Sequence, residues 1–413
     1  MSNNESMFKQ SQLNIGTLGH VDHGKTTLTR AITGVWTDKH SESIKRSMTI
    51  KLGYADAFIK KCSGCKEPEA YTVGDACEGC NGKPEIARRI SILDAPGHET
   101  LMATAIAGSN IIDAVLFVIS ASEPCPMPQT KEHLMLINAL GIKNVIIVQT
   151  KIDIVGKEAS KAHYQQIKNF VKGSVAENAP IIPVIASKNI NIDALLQQIM
   201  DIPVPERDTS SEPLMYIARS FDINKPGAKI KDLVGGVIGG SVIRGTFKLG
   251  DEIEIRPGVP KSSDKSKKVV YEPLITEIRS LSTGTSSGEL EQVIAGGLVA
   301  IGTSLDPSLT KADNLVGSVV GHVGKLPDML DEIAVNYVEI QRNDIPKQSL
   351  RVDEPLILSV GTATTIGYVK SVKKKKVEIE LKRPLCIDTS AKISIMRNFS
   401  QRWRLCGYAT LIQ

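Results

Sequence analysis

The chain has 413 residues, of which 41% are hydrophobic and 23% charged, and its formal net charge is +5. This length and composition predict two or three domains with real hydrophobic cores. The polar N-terminus lacks a secretory signal, and no apolar run reaches the ~18 residues of a membrane helix. We therefore expect a cytoplasmic protein with no membrane segment.

From residue 13 to about residue 200, short apolar runs alternate with helical patterns. The runs are apolar on both faces, as strands of a covered parallel sheet must be, and they read LNIGTLG, RRISILDA, DAVLFVIS, NVIIVQTK and PIIPVIAS. Pro128–Leu140 and Ala162–Val171 are predicted helices between them. This alternation predicts a doubly wound, mostly parallel α/β domain.

The pattern changes at residues 201–213, DIPVPERDTSSEP, where proline and short polar residues predict a linker. Beyond it, alternating strands punctuated by glycine predict β-barrels, with a second break near residues 325–330. We therefore expect an α/β domain over residues 1–207, followed by two β-barrel domains over residues 208–327 and 328–413.

The end of the chain is basic. Residues 345–413 hold 13 Lys and Arg against 5 Asp and Glu, which suits either a polyanion partner or a solvated face. The run Lys373 to Lys376 slightly favours a charged turn between strands, because a nucleic-acid footprint should scatter over a face.

A phosphate-binding loop follows the first predicted strand. Gly19 and Gly24 bracket four residues, and Lys25 and Thr26 come next at the start of a predicted helix. In such a loop, backbone N–H groups wrap the phosphates, the lysine adds charge to the β and γ groups, and the helix N-terminus adds partial positive charge. The hydroxyl of Thr26 is the expected Mg²⁺ ligand.

Two further strand ends complete a nucleotide site. Asp94 ends the second strand, suited to Mg²⁺ held directly or through water, and Gly97 and His98 follow it. His98 would orient an attacking water. The third strand ends in Thr150-Lys151-Ile152-Asp153, where the carboxylate of Asp153 can accept two hydrogen bonds from guanine.

An insert predicted over residues 56–86 holds two Cys-x-x-Cys pairs, Cys62 with Cys65 and Cys77 with Cys80. Four thiolates at this spacing can bind Zn²⁺ tetrahedrally with no open position, which predicts a structural site. The alternative is four unrelated thiols. We interpret the metal as stiffening an insert too poor in apolar residues to fold alone, and contact of this insert with tRNA or a partner is a hypothesis.

The motifs GHVDHGKTT, DAPGH and TKID, followed by two β-barrels, resemble those of the translational GTPases. KRSMTIKLGYADA, RSFDINKPG and GGLVAIGTSLDPSLTKADNLVGS closely match the gamma-subunit family of archaeal and eukaryotic translation initiation factor two. The resemblance covers nearly the whole chain. It implies a GTP switch in a heterotrimer with alpha and beta subunits, which carries methionylated initiator tRNA to the small ribosomal subunit.

The resemblance also implies site residues. The magnesium residues are Asp22, Thr26, Ser47, Thr49 and Asp94, with Asp22 near a second Mg²⁺ and Thr49 in switch one. The zinc ligands are the four cysteines of the insert. The nucleotide contacts are Asp22, His23, Gly24, Lys25, Thr26, Thr27, Thr150, Lys151, Asp153 and the backbone N–H of Ala186.

Three positions depart from the family pattern. Thr150 stands where Asn is usual, Ile185 where Ser is usual, and Ser47 where Gly is usual. Threonine has a shorter reach than asparagine and no amide. We therefore expect guanine affinity below that of the family, with the preference for guanine preserved.

The expected reaction is phosphoryl transfer from GTP to water, in which Lys25 and Mg²⁺ neutralise charge and His98 positions the nucleophile. The sequence assigns no arginine finger, so slow intrinsic hydrolysis and stimulation by a partner are expected. Three alternatives stay open: a related elongation-type GTPase such as the selenocysteine-specific factor, a metabolic P-loop phosphotransferase, and a nucleotide-stabilised scaffold with little hydrolysis.

Overall fold

The computed structural model describes residues 8–37, 52–77, 82–98, 101–225, 227, 229, 233–261, 269–284, 290–342, 344–389 and 391–412. The chain forms two compact units, Met1–Pro205 and Glu206–Gln413. The predicted boundaries at 207 and 327 stay predictions. No helix in the described ranges is both long and apolar enough to cross a membrane.

The first unit is built on a seven-stranded sheet. Its strands are β1 Leu13–Gly19, β2 Gly53–Lys61, β3 Tyr71–Thr72, β4 Glu85–Asp94, β5 Ala114–Ser120, β6 Asn144–Thr150 and β7 Ile181–Pro183. Their order is β3-β2-β4-β1-β5-β6-β7. The strands β4, β1, β5, β6 and β7 are parallel to one another, whereas β2 pairs antiparallel with both β4 and β3. The predicted doubly wound, mostly parallel sheet is confirmed.

Helices follow the parallel strands of the sheet. They are α1 Lys25–Thr33, α2 Met102–Ser109, α3 Pro128–Leu140, α4 Ile152–Val155, α5 Lys157–Val171 and α6 Ile192–Met200, with a 3₁₀ turn at Ala186–Lys188. Proline begins α3 as predicted, and Gly141 ends it in the left-handed conformation, which glycine adopts without a Cβ penalty. The predicted helix at Ala162–Val171 is the second part of α5.

Strands β5 and β6 are buried almost throughout, and this explains their unbroken apolar sequences. Strand β2 was not predicted, because it carries the polar side chains of Tyr54, Asp56, Lys60 and Lys61. Asp56 is buried because Arg89 on β4 donates a 2.6 Å hydrogen bond to it and Ser91 donates another of 2.7 Å. A buried charge pair depends on such hydrogen bonds to offset the loss of hydration of the two charges.

The second unit contains two closed six-stranded barrels. The first has β8 Leu214–Phe221, β9 Val237–Lys248, β10 Glu252–Lys261, β11 Val270–Ser282, β12 Gln292–Thr303 and β13 Val319–His322, with a short helix α7 Pro307–Thr310. The second has β14 Met329–Glu339, β15 Pro355–Val360, β16 Ala363–Lys373, β17 Lys376–Cys386, β18 Ile393–Phe399 and β19 Arg402–Leu411. Two barrels were predicted, and the prediction is confirmed.

Each barrel closes around its own apolar core, and polar contacts join the two. The hydroxyl of Thr362 donates a 2.6 Å hydrogen bond to the carbonyl of Ile217, and Arg383 donates to the carbonyl of Val316 at 3.1 Å. The four-lysine run forms the tip of the β16–β17 hairpin, where Lys374 has φ 58°. The sequence interpretation of this run as a turn is confirmed.

Candidate functional site

The phosphate loop joins the end of β1 to the start of α1. Two of its residues have positive φ angles, which glycine adopts readily and most other residues do not: Asp22 has φ 58° and Gly24 has φ 89°. A Cβ on Gly19 would lie 2.2 Å from the carbonyl oxygen of Val118, so this position accepts no side chain. The sequence therefore folds a tight loop whose N–H groups precede a helix N-terminus, which is an anion-binding arrangement.

Lys25 is buried and turns back over the loop. Its ammonium donates to the carbonyl oxygens of Gly19 at 3.0 Å and His20 at 2.6 Å. Burial lowers the pKa of Lys25 to about 8, against the opposing effect of the carboxylates of Asp94 and Asp22. A dehydrated ammonium held at the loop is placed to meet phosphate charge.

Asp94, at the end of β4, accepts hydrogen bonds from three threonine hydroxyl groups. Its two carboxylate oxygens accept hydrogen bonds from Thr17 at 2.9 Å, Thr26 at 2.7 Å and Thr37 at 2.8 Å. The sheet register explains part of this cluster, because Thr17 on β1 and Gly53 on β2 both lie beside Asp94. Carboxylate and hydroxyl oxygens are the ligands that Mg²⁺ prefers, so the donor set fits the predicted ion.

Gly97 lies against the phosphate loop, immediately after the Asp94 strand. A Cβ there would meet the Lys25 ammonium at 2.3 Å and the carbonyl oxygen of Gly19 at 2.9 Å. His98, the predicted water-orienting residue, follows as a half-buried residue in a bend. The chain thus brings the segment that follows Asp94 to the phosphate loop. Ser47 and Thr49, the predicted first switch, lie outside the described residues.

Two histidines hold the phosphate loop in place, His133 from α3 and His23 from within the loop. His133, fully buried on α3, accepts a 3.1 Å hydrogen bond from the N–H of Gly19 through Nδ1. Burial lowers its pKa to about 3, so the ring is neutral. His23 lies 3.2 Å from the carbonyl oxygen of Val118 and 3.2 Å from Glu123, and burial lowers its pKa to about 4. His133 was not identified from the sequence, because 114 positions separate it from its partner.

The guanine motif lies at the end of β6, beside the phosphate loop. The hydroxyl of Thr150 donates a 2.7 Å hydrogen bond to the carbonyl oxygen of His23. Lys151 has φ 57° and immediately precedes α4, and Asp153 in that helix forms an ion pair with Lys188 at 3.3 Å. Lys188 belongs to the 3₁₀ turn that starts at Ala186, so the predicted base-contacting segments meet.

The cysteines of the insert come together. Cys62, Cys65 and Cys77 place their sulfur atoms within 4.8 Å of one another, and the Cys65 and Cys77 sulfurs are 3.2 Å apart. Such a cluster of thiols is compatible with Zn²⁺. Cys80 lies outside the described residues.

The insert is also attached to the sheet and to α6. Glu67 accepts hydrogen bonds from Lys61 at 2.6 Å, from the hydroxyl of Tyr71 at 2.9 Å and from Gln197 at 2.9 Å. Tyr71 and the neighbouring Ala70 are buried, so the insert does contribute apolar contacts to the unit.

Comparison with known proteins places this architecture in a class. A family model described as "Elongation factor Tu GTP binding domain" matches residues 10–204. The bacterial selenocysteine-specific elongation factor EF-Sec has the same fold with a TM-score of 0.73 and 23% identity, over 97% of this chain and 58% of that chain. Elongation factor SelB from Methanococcus maripaludis, in complex with GppNHp, gives a TM-score of 0.72 and 21% identity over 98% and 80%. A GTP-binding domain followed by two barrels defines a translational GTPase.

More similar relatives identify the family within that class. Translation initiation factor 2 subunit gamma from Methanococcus vannielii is 52% identical over 409 residues, which cover 98% of this chain and 99% of the relative. The same subunit from Methanocaldococcus jannaschii is 50% identical, with 98% of each covered. A model described as "Initiation factor eIF2 gamma, C terminal" matches residues 331–411. The chain belongs to the translation initiation factor 2 subunit gamma family, and it is a GTP-hydrolysing translation factor.

Proposed function

We propose that this chain is the nucleotide switch of a heterotrimer with alpha and beta subunits. In its GTP form it binds methionylated initiator tRNA and delivers it to the small ribosomal subunit in the cytoplasm, and hydrolysis of GTP to GDP and phosphate releases the tRNA. The observation that carries the proposal is the meeting of Lys25, Asp94 and Thr150 around one loop. Relatives half identical over nearly the whole length support the assignment to initiation.

The nucleotide would lie along the loop and the end of β6. The loop contacts are Asp22, His23, Gly24, Lys25, Thr26 and Thr27, and the guanine contacts are Thr150, Lys151, Asp153 and the backbone of Ala186. Lys25 exchanges two carbonyl partners for phosphate oxygens on binding. Asp153 exchanges the exposed Lys188 ammonium for the N1–H and N2 amino group of the base, a pattern that adenine does not offer.

Two metals are part of the proposal. Thr26 and Asp94 would hold Mg²⁺ with Asp22, Ser47 and Thr49, and the ion would supply positive charge to the phosphates. Cys62, Cys65, Cys77 and Cys80 would hold Zn²⁺ as a structural ion. The oxygen cluster around Asp94 supports the first set, and the clustered sulfurs support the second.

Hydrolysis depends on positioning. His98 orients the attacking water, while Lys25 and the loop N–H groups stabilise charge on the leaving diphosphate. Gly97 lies against Lys25, which is proposed to bind the phosphates. The backbone before His98 is therefore placed to contact the γ-phosphate. When that phosphate leaves, the segment loses a contact and the switch relaxes, which couples hydrolysis to release.

Single-turnover cleavage of GTP tests whether hydrolysis is part of the function. We expect slow cleavage by the assembled heterotrimer with initiator tRNA, and faster cleavage when small ribosomal subunits are added. Equal, negligible rates in both would support the scaffold alternative. Binding of initiator tRNA in preference to selenocysteine tRNA would decide against the elongation-type alternative, and the reverse preference would support it.

A further inference from the structure

A third threonine reaches Asp94 from a segment to which the sequence assigned no function. Thr37 donates a 2.8 Å hydrogen bond to Oδ2 of Asp94, the same oxygen that accepts from Thr26 at 2.7 Å. Thr17 donates to the other oxygen, Oδ1, at 2.9 Å. Since a carboxylate has acceptor sites only, the three hydroxyls together fix the plane in which it lies.

Strand β2, which lies beside Asp94, leaves space for the side chain of Thr37. A Cβ on Gly53, across from Asp94 on β2, would lie 2.6 Å from the Cβ of Thr37 and 3.1 Å from its hydroxyl. A residue without a side chain therefore leaves the space that Thr37 fills.

The exit of the chain from α1 is fixed as well. Gly34 ends the helix with φ 71°, and the N–H of Val35 donates to the hydroxyl of Thr33 at 3.1 Å. This turn directs the following residues back toward the end of β4, where Thr37 meets Asp94.

We propose that Thr37 is a positioning residue for the magnesium-facing carboxylate. Its hydroxyl holds Asp94 in the orientation that presents Oδ2 to the Thr26 hydroxyl, and so increases the affinity of the nucleotide-bound protein for Mg²⁺. Partners that orient a carboxylate near a metal typically change metal affinity by ~10- to 100-fold when they are removed. This inference rests on the proposed magnesium site.

The test is a Mg²⁺ titration of the affinity for a fluorescent GDP analogue, with the full chain. Thr37→Val keeps the shape and removes the hydroxyl, and we expect the Mg²⁺ concentration for half-maximal tightening to rise by about tenfold. Thr37→Ser restores the hydroxyl and should return this value to within about threefold of wild type. Thr246→Val, which removes a threonine hydroxyl on β9 that donates to the carbonyl oxygen of Thr209 and not to Asp94, is the control and should behave as wild type.

A second variant tests the same contact without removing the hydroxyl. Gly53→Ala places a methyl group 2.6 Å from the Cβ of Thr37 and 3.3 Å from the Cβ of Asp94, so it crowds both partners of the hydrogen bond and should also raise the Mg²⁺ requirement. If Thr37 serves only as an anchor for the chain, Thr37→Val would weaken GDP binding equally in excess Mg²⁺ and in EDTA, and that result would overturn the inference.

Different results would contradict the magnesium site and the role of Thr37. A wild-type protein whose GDP affinity does not respond to Mg²⁺ would contradict the proposed magnesium site itself. A wild type that responds, together with an unchanged Mg²⁺ requirement in Thr37→Val, would contradict only the role of Thr37.

Discussion

The hydroxyl of Thr150 donates a 2.7 Å hydrogen bond to the carbonyl oxygen of His23, and this bond joins the guanine motif to the phosphate loop. Thr150 is 2% exposed, so the bond is sheltered from water. The residue that departs from the family pattern thus keeps a link between the two halves of the site, while it lacks the amide that asparagine would offer.

Two substitutions of Thr150 test separately its hydrogen bond to His23 and its lack of an amide. Thr150→Val leaves the buried carbonyl of His23 without its donor, which costs about 1–3 kcal/mol. We expect GTP and GDP affinity to fall by roughly tenfold, measured by equilibrium binding of fluorescent analogues. Thr150→Asn should instead raise affinity above wild type if the missing amide explains the expected weakness. An asparagine variant that binds no more tightly would contradict that explanation, and equal wild-type affinity for GTP and ATP would contradict the preference for guanine.

His98 is expected to act on hydrolysis alone. Since it is proposed to orient water and to make no ground-state phosphate contact, His98→Ala should reduce single-turnover GTP cleavage by about 10²- to 10³-fold. GDP affinity, measured in parallel, should change less than about twofold. A variant that cleaves GTP at the wild-type rate in the presence of small ribosomal subunits would rule out this role.

His133 makes the stability of the first unit depend on pH. Because burial lowers its pKa to about 3, the folded protein keeps it neutral where the unfolded chain, near 6.5, takes up a proton. The stabilisation is therefore complete above pH 6.5 and is lost as pH falls toward 3, by about 1.4 kcal/mol per pH unit. Replacing His133 should reduce this slope in urea unfolding between pH 6.5 and 5.

Two variants of His133 distinguish its acceptor from its titration. Asparagine places an oxygen near the Nδ1 position, where the N–H of Gly19 donates, whereas glutamine places it near Nε2. Both His133→Asn and His133→Gln should flatten the pH dependence, but only the glutamine variant should lose GDP affinity. An unchanged slope in both variants would show that His133 does not carry this effect.

The cysteine insert is expected to hold one zinc ion per chain, measured by elemental analysis of purified protein. Cys65→Ser should remove the ion, because Cys65 lies 3.2 Å from Cys77 in the cluster. Cys125→Ser is the control and should retain it, since burial raises the pKa of that thiol to about 12 and it lies outside the cluster. Zinc-free wild-type protein would contradict the site.

A variant in which a well-folded linker replaces the segment with the four cysteines tests whether the insert contacts tRNA or another subunit. Lower tRNA or subunit affinity would support the hypothesis that it presents a contact surface. Unchanged affinities would leave it a purely structural element.

The sequence predicted the parts of the site that are local in the chain. Gly19 and Lys25 lie within one loop, and Asp94 and Asp153 lie at or just after strand ends whose apolar patterns are plain. The order of these motifs sufficed to predict that they meet, because parallel strands present their carboxyl ends at one edge.

The missed features depend on pairs far apart in the chain. Thr37 and His133 reach the site through register and helix packing, and neither carries a local pattern that marks its partner. Strand β2 was not anticipated, because its charged Asp56 is matched by Arg89 on the neighbouring strand. β7 is shorter than its apolar run predicts, ending at Pro183, which cannot donate to a ladder.

The central claim is that GTP controls tRNA binding by this chain. Its most direct test measures binding of methionylated initiator tRNA in the presence of GTP, GDP or ATP, with the chain alone and with the alpha subunit. We predict binding with GTP that falls with GDP and is absent with ATP, and that strengthens with the alpha subunit. Binding of equal strength under all three nucleotides, or under none of them, would contradict the claim.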